Sequence, residues 1–361
     1  MKLKKKATLA AILLLICILI HVYSSDKGRV EANYSNGFFI TFSRTLRYIF
    51  GKIPFSVGDI LYGAGIGWLI WKSASWFISI FKKNRSGFKE KLAGRLYKFF
   101  IISTSIYIIF NIAWGINYNR KGIAWQLGLK IDKYSTEELR QINCLIIDKV
   151  NQSKRSLINA RIVYPGNKEL YRLVEHSYQM VSSRYSFLAY EPRSFKTSMW
   201  GWLGNYAAFT GYYNPFTGEA QLNTTVPKFL LPYTACHEVA HQLGYAKEME
   251  ANFVGYLAAT ASKDTLFHYS VYLDLFMYAN RNLYYTDSAA AKLYRNDLDT
   301  AVVADIKEWV RFNKEHVSFI EPYVKWVYGK YLQGNQQPQG MLSYDEVTGF
   351  IISYYKKYGK I

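Results

Sequence analysis

The chain has 361 residues, half of them apolar and 17% aromatic, which is long enough to bury a sizeable core and too rich in large side chains for disorder. Its formal charge of +19 is unevenly spread: residues 1–117 carry 17 Lys/Arg against 4 Asp/Glu, and residues 118–361 carry 28 against 22. The basicity therefore belongs mainly to the first third, and with no Lys/Arg stripe interleaved with aromatics, nucleic acid is not an expected partner.

Lys2, Lys4, Lys5 and Lys6 precede an apolar run over about 7–23, long enough to cross most of a hydrocarbon core. Bulky His21, Val22 and Tyr23 at its end offer no small-residue cleavage site, so the run reads as a retained anchor. Two further spans are expected over about 60–81, which includes Lys72, and about 99–116. Between them, residues 82–98 hold seven Lys/Arg and one Glu, the signature of a cytoplasmic loop. Three crossings then place residues 118–361 outside the cytoplasmic membrane as one domain, with the lipid bilayer as a partner.

Ser135 and Glu138 have capping-box spacing, and Leu139, Ile142, Ile146 and Val150 follow at helical intervals. Leu170, Leu173, Val174, Tyr178 and Val181 mark a second amphipathic helix. Glycines at 201, 204, 211 and 218 punctuate the next stretch, and Asn214-Pro215-Phe216-Thr217-Gly218 is turn chemistry, predicting a hairpin with Glu219–Thr225 as return strand. Beyond it the pattern is helical, with Ser343 and Glu346 spaced as a capping box for the last helix. The fold class is thus α+β and mostly helical. Cys17, Cys144 and Cys236 form no disulfide framework and read as free thiols.

Between hairpin and later helices lies Thr234-Ala235-Cys236-His237-Glu238-Val239-Ala240-His241-Gln242-Leu243-Gly244. Residues four apart share a helix face, so His237 and His241 are expected to aim imidazole nitrogens at one zinc ion. Glu238, next along the helix, is placed to take a proton from water. A third ligand is expected from the following helix. Glu248 is the first choice because Asn252, one turn later, is positioned to orient a ligand imidazole, and Glu250 is the alternative. The return strand, Glu219, Ala220, Gln221, Leu222 and Asn223, is a candidate edge for an extended peptide. Tyr278, Arg281 and Tyr285 are candidate donors to a developing oxyanion.

The H-E-x-x-H stretch resembles that of the zincin metallopeptidases. With Glu248 followed four residues later by Asn252, it is similar to the gluzincin group, although the gap from His241 is short for that group. The resemblance implies a zinc-dependent peptidase acting on a peptide or protein, with a catalytically inactive zincin-fold binding or sensing module as the alternative. Pro54-Phe55-Ser56-Val57-Gly58-Asp59, Trp114-Gly115-Ile116-Asn117-Tyr118, Pro215 to Ala220 and His237 to Phe253 also resemble an uncharacterised family of bacterial membrane proteins, domain of unknown function thirty-eight ten. That likeness implies a multi-pass bacterial membrane protein and supplies no substrate.

Overall fold

The computed structural model describes residues 2–81 and 88–361; part of the basic loop expected at 82–98 lies outside the described residues. Helix makes up 74% of the residues and strand 3%, which fixes the class as mostly helical with a small sheet. Among the described residues, two helices are long and apolar enough to cross a membrane, Lys4–Ser24 and Leu92–Ala113. The expected middle span is a 25-residue helix, Val57–Phe81, which carries Lys72 and does not join those two. The Lys4–Ser24 and Leu92–Ala113 helices run side by side in the same direction. The Tyr97 hydroxyl donates to the Lys6 carbonyl (3.2 Å) towards one end, and Ile20 and Ile108 share a buried cluster towards the other.

The larger part packs helices around one apolar core. Ser135 caps Thr136–Asn159 through the complete box with Glu138, and Leu139, Ile142, Ile146 and Val150 bury the expected face, mainly against the long helix Thr265–Thr286. Leu170, Val174, Tyr178 and Val181 do the same for Asn167–Arg184. The last helix, Val347–Tyr358, starts differently from expectation. Residues 340–344 form a 3-10 turn that leaves the Ser343 hydroxyl buried without a partner, so no capping box forms there. The three cysteines are unpaired.

The sheet has three short strands, β1 (Phe195–Thr197), β2 (Gly211–Asn214) and β3 (Glu219–Leu222), in the order β1-β3-β2. The β2-β3 pair is the expected hairpin, with the Asn214 side chain accepting from the Phe216 and Thr217 amides and Gly218 at φ +67° closing the turn. β1 pairs parallel to β3 on its other side. The strand Glu219 to Leu222 is therefore central and both its edges are taken. With Asn223 just beyond it, this segment offers no free edge to a peptide, contrary to expectation; the edge strands are β1 and β2.

Residues 26–59 do not stand apart from the rest. A π-helical stretch, Val30–Phe38, leads into the helix Phe39–Gly51, which reaches the end of the metal-motif helix, where Ser43 and Arg47 donate to the Gln242 carbonyl. Buried Glu31 pairs with buried Arg120 at 2.7 Å and also accepts from the Lys121 and Gly122 amides. Arg120 in turn donates to the Gly244 carbonyl. Glu219 of β3 accepts from the Val57 and Gly58 amides, placing a carboxylate on the positive end of the Val57–Phe81 helix. Sheet, membrane-type helices and metal-motif helix are thus joined by hydrogen bonds.

Candidate metal centre

The motif helix, Leu231–Gln242, is buried along its whole length. Pro232 sits in its first turn, where a missing amide hydrogen costs nothing. The Tyr178 hydroxyl donates to the Cys236 carbonyl at 2.6 Å and holds the helix against Asn167–Arg184. The next helix, Glu248–Ala261, crosses it at Gly255, where a Cβ would lie 3.1 Å from the His237 nitrogen. Gly244, at φ +86°, makes the turn between the two helices possible.

This crossing brings His237, His241 and Glu248 together, all buried, with ligand atoms within 4.8 Å of one another. Glu248 Oε2 lies 3.3 Å from His237 Nε2 and 3.5 Å from His241 Nε2. Two bonds of about 2.0–2.1 Å meeting at a tetrahedral angle separate their donor atoms by about 3.3 Å, so the spacing fits one zinc-sized ion. The free lone pairs agree. His241 Nδ1–H donates to the Tyr245 carbonyl (2.8 Å), which turns Nε2 inward, and Glu248 Oε1 accepts from Tyr328 (2.6 Å) while Oε2 has no donor.

Electrostatics follow from burial and proximity. Burial opposes charge on both imidazoles and lowers the His237 pKa, whereas at His241 the Glu248 carboxylate outweighs burial and pushes the value up to about 9. Burial would raise Glu248, but the two imidazoles hold it well below the usual carboxylate range. Glu238 has no ion-pair partner, and burial pushes it up to about 8. One of its oxygens is without a hydrogen bond, and the other faces Gly211 of β2, whose Cβ would come within 2.6 Å of it.

Of the expected site residues, Glu250 stands away from the cluster. Its carboxylate packs against Gly122, at φ +81°, where a side chain would collide with it, and burial raises its pKa. Asn252 donates to the Tyr344 carbonyl (3.3 Å) and its side chain also reaches His237. Of the three expected oxyanion donors, Tyr278 is near enough to Glu248 to feel its charge, and the other two lie away from the ligands. Tyr285 is 72% exposed, Arg281 pairs with Asp345, and Tyr278 packs against the Arg281 guanidinium. The phenols at the ligands are Tyr328 and Tyr344, the latter stacked on the His237 ring at 6.3 Å. Trp114 donates its indole N–H to the His241 carbonyl (3.2 Å). Nothing in the sequence singles out two tyrosines among 32.

A family model matches residues 34–352, which takes in the helix after the first span, the metal cluster and most of the last helix. The chain belongs to the DUF3810 family. That family is described as a protein of unknown function, so DUF3810 membership carries no activity with it. Neither the curated proteins nor the solved structures give a match to this DUF3810 chain.

Proposed function

We propose that this protein is a membrane-anchored, zinc-dependent peptidase that hydrolyses peptide bonds on the outer side of the bacterial cytoplasmic membrane. The observation that carries the reading is the convergence of His237 Nε2, His241 Nε2 and Glu248 Oε2 at tetrahedral spacing, with the Glu238 carboxylate one residue along the same helix. Three protein ligands leave a fourth position open, the pattern of catalytic rather than structural zinc.

Zinc bound there supplies Lewis acidity towards the scissile carbonyl and an acidified water. The chain's own groups do the remainder. Glu238, dry and with a raised proton affinity, takes the proton of the attacking water and returns it to the leaving amine. Tyr344, whose pKa burial drives well above the phenol range, keeps its proton and, stacked on the His237 ring, is the phenol assigned to the developing oxyanion, since the Tyr328 hydroxyl donates to Glu248. Tyr245 and Tyr328 hold His241 and Glu248 in orientation. β2, at the sheet edge with Gly211 against Glu238, is the strand along which an extended peptide would lie.

Topology is argued from direction. If Lys4–Ser24 and Leu92–Ala113 both cross and run the same way, the chain must return between them, and Val57–Phe81, about 37 Å long at 1.5 Å per residue, is the helix available. The basic N-terminus then lies inside and the metal cluster outside.

The test is digestion of a peptide library by the purified full chain, with Glu238→Gln as control and metal content measured for His237→Ala, His241→Ala, Glu248→Ala and Glu250→Ala. Zinc should be lost in the first three of these alanine variants and kept in Glu250→Ala. Equal cleavage by wild type and Glu238→Gln would defeat the peptidase reading.

A further inference from the structure

The helix Glu321–Gly334 has two unlike faces. One faces the metal site: Tyr328 bonds Glu248, and Leu332 is buried. The other carries Tyr323, Trp326 and Val327, each more than half exposed, with Phe319 just before the helix at 83%. The segment Met199–Tyr206 exposes Trp202 and Leu203, and the Ser318 hydroxyl donates to the Tyr206 carbonyl at 2.8 Å, so the two surfaces adjoin.

Both are pinned to the ends of the membrane-type helices. Trp200 donates its indole N–H to the Asp59 carbonyl (3.1 Å) and lays its ring 2.9 Å from where a Cβ on Gly63 would be, two turns into Val57–Phe81. Tyr331 packs edge-on against Phe110, in the last turn of the span Leu92–Ala113. An apolar and aromatic surface continuous with spanning helices meets the bilayer at headgroup depth, where Trp and Tyr are favoured.

We propose that this face is a lipid-docking surface seated in the outer interfacial layer of the bilayer, so that the helix bearing Tyr328 stands between lipid and the metal ligands. The inference rests on the membrane-crossing reading above, and its occupant is lipid rather than a second protein.

Nitroxide labels at Tyr323→Cys and Val327→Cys test it, in full chain carrying Cys17→Ala and Cys144→Ser and reconstituted in phosphatidylethanolamine/phosphatidylglycerol vesicles. Val163→Cys, at a position 83% exposed, reports the aqueous side, and Ile106→Cys reports the span. The ratio of oxygen to nickel-chelate collisions at 323 and 327 should exceed that at 163 by about tenfold, as expected for side chains about 5–10 Å into the boundary layer. Unchanged zinc content in each labelled protein establishes that the fold is intact. Nickel access at 323 and 327 equal to that at 163, with 106 still in lipid, overturns the docking surface and leaves the spans standing. Exclusion of both reagents at 323 and 327 means another protein covers the face and also overturns it. Nickel access at 106 removes the spans, and the proposal with them.

Discussion

Gly211→Ala separates the proton-transfer group from the metal ligands. A Cβ at position 211 would lie 2.6 Å from Glu238 Oε1, 2.9 Å from its Cγ and 3.0 Å from the Gln221 carbonyl. The backbone contact is confined by the β2-β3 ladder, so most of the adjustment falls on the Glu238 side chain. Restoring an ordinary contact of about 3.4 Å requires a displacement of roughly 0.8 Å, and misplacement of about 1 Å at a reacting group costs on the order of 10²-fold in rate. That corresponds to about 2.7 kcal/mol of lost transition-state stabilisation. The assay is kcat/KM on a peptide cleaved by wild type, with zinc content determined on the same samples. The expected result is a loss of about two orders of magnitude at full zinc occupancy. Activity within about threefold of wild type would refute the placement of Glu238 as the proton carrier against β2.

Other expectations follow from the same contacts. Tyr328→Phe removes the donor that fixes Glu248 and should weaken zinc binding by about 10–100-fold in chelator competition. Arg120→Ala leaves the Glu31 carboxylate buried without its ion pair and should cost about 3–5 kcal/mol, read as a lowered Tm of the full chain in detergent. At Glu31 burial acts to raise the pKa, but Arg120 outweighs it and the folded value lies below the unfolded one. The pair's contribution is therefore present above the unfolded pKa and lost as pH falls through the folded one, so acid melting of wild type should be steeper than that of Glu31→Gln. Asp274 has the opposite sign. Burial pushes it up to about 7, so stability declines as pH rises from its unfolded value of 3.8 through 7, and Asp274→Asn should raise Tm at pH 8 but not below pH 4.

The candidate metal triad was legible because its signal is local. Four-residue spacing puts two imidazoles on one face, and Glu248 with Asn252 repeats that spacing on the next helix. The Ser135 box and the hairpin turn were legible for the same reason, since each partner lies within a few residues. What escaped depends on distant pairings. β1 joins β3 from 25 residues upstream, which turns a predicted edge into a centre. Tyr328 reaches Glu248 across 80 residues and Trp114 reaches His241 across 127, with no periodicity to mark either. Glu250 and Glu248 were hard to separate because both open one helix, and what tells them apart is distant in sequence, Gly122 against Glu250 and Tyr328 against Glu248. The middle span has the length the sequence announces, but Val57–Phe81 is not one of the two helices that pass as apolar enough to cross.

Trp114 follows directly on the last residue of the membrane-type helix Leu92–Ala113, and its indole already touches the backbone of His241, a candidate metal ligand. On the proposed reading, an enzyme built this way has no leash. It sweeps no volume of solvent above the bilayer, and its encounters are those of two-dimensional diffusion, in which only chains travelling in or skimming the same lipid plane come within reach.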